Sequence, residues 1–375
     1  MIHPDSSTLD WIIQCGKENK INDLTILEKT IRAFNLLEAL SRSGCPFLFK
    51  GGSALMLQLD CSRRLSVDID IVCPPGTDVI AYLEKYADQY GFGKIEPVQR
   101  LSRNNVPKTH AKCFYQVSYV TNTETEKILL DVLFEDYWYT KLDSLPINIH
   151  LLKLEGDLSF VKLPSKEDLL GDKLTAFAPN TTGIPYIKIV KNRRGEDVER
   201  HCSMEIIKQL YDVASLFDVV EDLTVVRNTF EKIAPIELEY RGLDSSNTDA
   251  VLDDVIRTSE IICSNVYTSD GSFEHKELTR GITQIHDLII SENFTYYSAI
   301  VCAAKAAYLA VLLKKGILEI KRYDKSMDLK TLHIDAPFNP ALNKIKAIRP
   351  EAFFYWWEAR RLLMAAGPVS SAFVT

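Results

Sequence analysis

Asp68 and Asp70 stand one residue apart in Leu65-Ser66-Val67-Asp68-Ile69-Asp70-Ile71-Val72, where branched apolar residues alternate with acids at the period of a β-strand. That spacing puts both carboxylates on one face, about 7 Å apart along the chain. Val67, Ile69 and Ile71 then turn the other way, into a core. Two neighbouring carboxylates repel, and a hard divalent cation with oxygen ligands offsets the repulsion. An Asp-x-Asp alone also fits the solvated edge of an amphipathic strand.

The preceding segment adds to the motif. Phe47-Leu48-Phe49 is a short apolar run that suits a buried strand, and Gly51-Gly52-Ser53 follows it, opening a helix. Glycines let backbone amides approach a phosphate closely, a helix N-terminus favours negative charge, and the Ser53 hydroxyl can donate to a phosphate oxygen. The plain alternative is a strand-to-helix turn with Ser53 as its cap. The order strand, Gly-Gly-Ser, helix, then a strand bearing Asp-x-Asp is far more specific than either half. It describes a site for a phosphate and a metal.

A third carboxylate is expected from Ile128-Leu129-Leu130-Asp131-Val132-Leu133, where Asp131 is a lone acid in an apolar strand and needs a partner or a metal. Glu135 and Asp136, at the end of that strand, are the competing choices.

The elements that position these residues follow from periodicity. Leu24, Leu27, Ile31, Phe34 and Leu37 predict an amphipathic helix over 24–40, ended by Ser43-Gly44. A helix is expected over roughly 84–90, strands over 114–119 and 128–134 joined by a turn at 122–125, and a hairpin of 147–154 with 158–163 across Gly156. From Pro164 helical periodicity takes over. Ser165-Lys166-Glu167-Asp168 resembles a capped helix start running to Phe177. Residues 179–202 read as a long loop, Met204 to Phe217 as a helix, and the stretches 248–264, 276–291, 296–314 and 350–364 as a helical bundle. The expected domains are therefore 1–163 and 164–375.

With these motifs in place, the chain resembles the nucleotidyltransferase superfamily. Within it, Lys50-Gly51-Gly52-Ser53-Ala54-Leu55, followed by Arg64-Leu65-Ser66-Val67-Asp68-Ile69-Asp70, looks like the AbiEii/AbiGii toxin family. The likeness extends to the upstream helix at Leu27-Glu28-Lys29 and to the downstream helices. Two positions depart from the pattern. Fourteen residues separate Ser53 from Asp68, implying a small insertion near Asp60 to Arg63, and Val67 stands where the family often has Glu.

The resemblance implies an α+β fold: a nucleotidyltransferase-like mixed β-sheet domain with flanking helices, followed by an α-helical C-terminal domain that adds nucleotide or acceptor contacts. It carries catalytic roles to Asp68, Asp70, Asp131, Lys173 and Asp212, and nucleotide binding to Gly51, Gly52, Ser53, Lys173 and Lys208. Lys173 matches the family's Lys-Leu-x-Ala helix, and Lys208 with Asp212 its Lys-x-x-x-Asp helix. Four-residue spacing puts the latter two on one helical face, and without the resemblance they read as an exposed ion pair. Two Mg2+ ions, with Mn2+ as the alternative, would be held by Asp68, Asp70 and Asp131 to move a nucleoside monophosphate from a nucleoside triphosphate. The implied acceptor is RNA, at a tRNA 3′ end, and the implied setting is a type IV toxin with an antitoxin as partner. A small-molecule acceptor is the enzymatic alternative. A degenerate member that binds nucleotide or a partner without turnover is the non-enzymatic one.

Bulk composition fits this reading. At 375 residues, with 46% hydrophobic and 25% charged residues, the chain is an ordinary globular one long enough for two domains. Its net charge of −7 gives no global attraction to nucleic acid, so RNA would need a local basic patch. Lys188, Lys191, Arg193, Arg194 and Arg200 could provide one, although Glu196, Asp197 and Glu199 dilute it. Phe353-Phe354-Tyr355-Trp356-Trp357 reads as core at helical spacing rather than as a base-stacking surface. The eight cysteines form no CxxC pair and the seven histidines show no metal-ligand spacing, so no structural zinc is expected and no histidine receives a role. With no apolar run near the roughly 20 residues of a bilayer span, the expected setting is the reducing cytoplasm, without a membrane.

Overall fold

The computed structural model describes residues 1–59, 63–98, 108–118, 125–192, 194–264 and 271–365. The chain divides into two compact units, Met1–Leu169 with Ile285–Asn293, and Leu170–Gln284 with Phe294–Thr375. The sequence boundary at 163 falls just short of the first division, which lies inside a helix. Residues 285–293 return to the first unit, where Leu65 N–H donates to Leu288 O and Ile290 N–H to Arg63 O.

The first unit contains α1 (Leu9–Glu18), α2 (Leu24–Ser43), β1 (Leu48–Lys50), α3 (Gly51–Gln58), β2 (Ile69–Cys73), α4 (Val79–Glu84), β3 (Phe92–Val98), β4 (Lys108–Gln116), β5 (Thr125–Phe134), β6 (Leu142–Pro146) and β7 (Phe160–Pro164). Five strands make one mixed sheet in the order β1-β2-β5-β4-β3, with β2 and β5 parallel and the remaining neighbours antiparallel. Strands β6 and β7 form a separate hairpin. Helix α2 packs on β2 and β5, and its apolar face disappears into the core, with Leu27, Ile31, Phe34 and Leu37 fully buried. Gly44, at φ 75°, ends it in the left-handed conformation.

Several expected elements are displaced. The hairpin expected over 147–163 pairs Leu142–Pro146 with Phe160–Pro164 instead. The helix expected over 84–90 lies at Val79–Glu84, capped by the Asp78 side chain, with a single turn of 3-10 helix at Asp88–Tyr90. β3 and α1 had no counterpart in the sequence reading. The insertion expected at 60–63 and the turn at 122–124 lie outside the described residues, apart from Arg63.

Helix α5 (Lys166–Ala176) starts as expected. The buried Asp168 carboxylate accepts from Ser165 Oγ and from the Thr140 and Lys141 amides, at 2.7–2.9 Å. The second unit then contains β8 (Ile187–Lys191), β9 (Asp197–His201), α6 (Ser203–Phe217), α7 (Leu223–Tyr240), α8 (Asp249–Ser264), α9 (Phe273–Gln284), α10 (Tyr296–Lys314) and α11 (Pro350–Met364). The stretch expected as a loop holds the β8-β9 hairpin, and α7 was missed because Pro235 interrupts its pattern. Contrary to the sequence reading, α10 is long and apolar enough by length and composition to span a bilayer; in the unit it is the central helix, mostly buried against α6, α8 and α11. A helix apolar on all sides is the expected occupant of such a core. Phe353, Phe354, Tyr355 and Trp356 are buried, as their helical spacing predicted, with Phe338 edge-on to Trp356.

Candidate active site

The mixed sheet brings four polar side chains to one rung. Lys50 on β1 is the register partner of Asp70 on β2, Asp70 of Asp131 on β5, and Asp131 of His110 on β4. Register partners share a face of the sheet. The rungs on either side alternate inward, since Ile69, Ile71, Leu130 and Val132 are all buried. One face of this sheet centre is therefore apolar core. The other carries a cation, two carboxylates and an imidazole in line.

His110 Nδ1 makes a very short hydrogen bond with Asp131 Oδ1. An ionised carboxylate only accepts, so the ring presents N–H at Nδ1. The sequence reading gave no histidine a role because spacing along the chain says nothing about an antiparallel neighbour. The available signal was alternation: Ala111, Cys113 and Tyr115 are buried, leaving His110 on the acidic face. The strand expected over 114–119 was registered too late in the chain to show this.

The three candidates for a third carboxylate differ in position. Asp131 shares Asp70's rung, whereas Glu135 and Asp136 lie beyond the end of β5, lining a separate cavity of about 410 Å3 with Cys45, Cys73 and Tyr137.

The Gly-Gly-Ser turn forms a mould for the segment 64–70. Gly51 opens α3 at φ 78°, and a Cβ there would stand 2.1 Å from Asp70 Oδ2. A Cβ on Gly52 would stand 2.5 Å from Arg64 Nη2 and 3.0 Å from Ser66 Oγ. Gly51 combines this close approach with a left-handed φ and so requires glycine, whereas a Cβ at Gly52 would have to displace the Arg64 side chain. Arg64 is itself buried, and its Nη1 donates to Leu65 O at 3.1 Å. Ser53 is fully buried, and its Oγ donates to the Asp68 carbonyl at 2.5 Å. The single O–H of Ser53 is thus directed at the backbone of Asp68. Asp68 precedes β2 rather than lying on it, and its side chain is exposed.

The second unit holds Lys173, Lys208 and Asp212. Lys173 Nζ lies 3.0 Å from Asp212 Oδ2 and donates to Gln209 Oε1 at 2.9 Å, with both charged side chains nearly enclosed. The exposed ion pair considered for the α6 face is thus replaced by a buried pair between helices, and Lys208 stands one turn before Asp212 on the same helix.

The donor set suits magnesium in a particular way. Among the described residues, no group of three or more His, Cys, Asp or Glu side chains is gathered so as to hold a metal ion. Magnesium seldom needs such a cage, because it keeps several waters and takes one or two carboxylates together with substrate phosphates. Asp70 and Asp131 on one rung meet that requirement, with the exposed Asp68 beside them in sequence.

Solved structures resemble the chain, two of them from Helicobacter pylori. A Helicobacter pylori protein, JHP933, is 13% identical with a TM-score of 0.39, covering 77% of this chain and 94% of its own. A Helicobacter pylori structure described as a candidate nucleotidyltransferase is 13% identical with a TM-score of 0.41, covering 77% of this chain and 96% of its own. No curated protein is significantly similar. The profile of the nucleotidyl transferase AbiEii toxin family, of type IV toxin-antitoxin systems, matches residues 35–264, more than half of the chain and the whole run from the Gly-Gly-Ser turn to Asp212. The chain belongs to the AbiEii nucleotidyltransferase toxin family.

Proposed function

We propose that this nucleotidyltransferase moves a nucleoside monophosphate from a nucleoside triphosphate to the 3′ end of an RNA, with tRNA as the acceptor class. The observation that carries the proposal is the Asp70–Asp131–His110 rung beside a turn that requires glycine at Gly51.

Asp70 and Asp131 would hold Mg2+ or Mn2+, with the exposed Asp68 as a third carboxylate. The bound ion supplies charge neutralisation at the phosphates. The amides of Gly51 and Gly52, at the start of α3, receive the phosphates. Asp131, oriented by His110, accepts the proton of the attacking hydroxyl as its oxygen bonds the α-phosphate and pyrophosphate leaves. Arg64 is buried against Gly52 and packs the turn from that side. Ser53 positions Asp68 through its backbone. In the second unit, the family resemblance gives Lys173 a nucleotide-binding role of its own, with Asp212 and Gln209 fixing its ammonium and Lys208 one turn away. Its exchange tests that role separately from the rung. The family's toxin-antitoxin setting supplies an antitoxin as partner, and the described cysteines, all free and buried, suit a reducing cytoplasm.

The test is incubation with each α-labelled nucleoside triphosphate, total RNA and Mg2+. Label should appear on RNA 3′ ends and vanish with Asp70→Asn or with chelation of the metal. RNA labelling that survives Asp70→Asn would overturn the assignment of the rung, and label on small molecules alone would overturn the RNA acceptor.

A further inference from the structure

The β8-β9 hairpin sorts its charges by face in a way that linear sequence conceals. Its register pairs are Ile187 with His201, Lys188 with Arg200, Ile189 with Glu199, Val190 with Val198, and Lys191 with Asp197. Side chains alternate between faces, so Asp197 and Glu199 lie on the side opposite Lys188 and Arg200. The acids that seemed to dilute the basic segment share their face with Lys191, which Asp197 pairs at 3.2 Å. The other face carries Lys188 directly across from Arg200, then Val190 across from the exposed Val198. At its tip Asn192 donates to the Glu196 carboxylate.

Like charges directly opposed across an antiparallel pair are destabilising. Lys188 bears a second like charge as well. Its side chain is exposed, yet desolvation by the atoms packed around its stem, then Arg241 and Arg200, hold its pKa below the ordinary lysine value, against the opposite pull of Cys202 and Glu205. Arg241 is fixed at the hairpin's base by donating to the Thr182 and Gly183 carbonyls, and Arg200 contacts Glu205. Lys188 and Arg200 are therefore opposed across the hairpin with Arg241 at its base, and among the described residues the carboxylate paired with Arg200 is Glu205, in a chain of net charge −7. Such a grouping is offset by a polyanion, and the flanking valine pair gives a low, open surface rather than a closed pocket for one ion.

We infer that the Lys188–Arg200 face of the β8-β9 hairpin, with Arg241, binds the phosphate backbone of a single-stranded RNA segment. This deepens the RNA reading above and depends on it for the identity of the polyanion. Phosphate contacts fix the position of an RNA without reading its sequence, so the face acts in docking and takes no part in bond making.

The experiment measures fluorescence anisotropy of a labelled, mixed-sequence single-stranded RNA oligonucleotide across a salt titration, without nucleoside triphosphate. Lys188→Gln with Arg200→Gln should weaken binding about tenfold and flatten the dependence of log affinity on log salt by about 1.4, the release expected for two single-strand phosphate contacts. Lys188→Glu alone, which leaves the Arg200–Glu205 contact intact, should weaken binding in the same direction, and Glu199→Gln on the opposite face should not weaken it. Unchanged affinity and slope in folded Lys188 variants overturns the inference, as does equal weakening by Glu199→Gln. Binding of poly-glutamate in preference to RNA overturns it in favour of a protein partner. RNA that binds through this face but is never labelled leaves the inference standing and removes the transfer reading, so the two fail separately.

Discussion

Asp70 and Asp131 are direct partners on the parallel β2-β5 ladder, two carboxylates on one rung with Lys50 and His110 on its flanks. Both side chains are partly buried, and Asp131 is paired with His110. Removing one should relieve like-charge repulsion while removing a metal ligand. Asp70→Asn is expected to leave the thermal midpoint unchanged or slightly higher in chelator, and to abolish the upward shift that Mg2+ with nucleoside triphosphate gives the wild type. Differential scanning fluorimetry checks both. A midpoint several degrees lower in chelator would show that Asp70 is structural.

His110 reaches the proposed chemistry through Asp131. Groups that orient a ligand in this way typically contribute 10- to 100-fold. His110→Ala should therefore lower kcat by roughly that factor with little change in KM for nucleotide, and His110→Gln, which retains an N–H donor, should recover part of the loss. If Gln and Ala are equally impaired, the hydrogen bond is not what His110 supplies.

Gly51 combines a left-handed φ with a contact to the Asp70 carboxylate. Alanine there carries the left-handed penalty of about 1–2 kcal/mol for a residue with a Cβ, and its methyl must also displace Asp70 from the rung. Gly51→Ala should destabilise by at least about 2 kcal/mol in urea unfolding and eliminate transfer. The double variant Gly51→Ala with Asp70→Ala should recover part of the stability and none of the activity. A double variant no more stable than the single would place the strain elsewhere.

How much of this was legible in sequence depended on whether the signal was local. Gly51, Gly52 and Asp70 announced themselves by order along the chain, because a turn and the strand it leads to are close in sequence. Ser53 was recognised by its place in the turn, but its hydrogen bond to the Asp68 carbonyl, fifteen residues away, was not. His110 was passed over because β4 meets β5 only through the sheet. The hairpin at 187–201 was read as a loop because both its faces are largely exposed, so it lacks the apolar alternation that marks a half-buried strand. α7 concealed itself behind Pro235, which an α-helix tolerates when packing offsets the lost hydrogen bond. The family likeness located Lys173 and Asp212, but only the packing shows that they form an enclosed pair.

That pair carries its own expectation. Removing one member of a buried ion pair leaves an uncompensated charge and costs about 3–5 kcal/mol. Asp212→Ala should lie in this range by chemical denaturation, because Lys173 then keeps only Gln209 among these partners. Lys173→Met combined with Asp212→Leu should cost markedly less than the sum of the singles, since apolar residues of similar volume replace both charges. Simple additivity would mean that the two side chains do not stabilise each other.

Glu277 on α9 ties the foot of β9 to α6, accepting from His201 Nδ1 at 2.8 Å and Ser203 Oγ at 2.5 Å, with Arg280 at 3.5 Å. Burial pushes its carboxyl upward. The hydrogen bonds from Ser203 and His201 and the nearby positive charges outweigh burial and hold it below the ordinary glutamate value of 4.5. A carboxyl depressed in the folded state stabilises above its unfolded pKa, and that stability is lost as pH falls through the folded pKa. The contribution is therefore complete at neutrality and fades only below about 4.5. Glu277→Gln should melt lower than wild type at neutral pH, with the gap closing as the medium is acidified. Because His201 and Arg200 are consecutive on β9, the same variant should loosen the hairpin and weaken RNA binding at neutral pH. A melting gap that stays constant through the acid range would show that Glu277 acts by shape, with no part played by its charge.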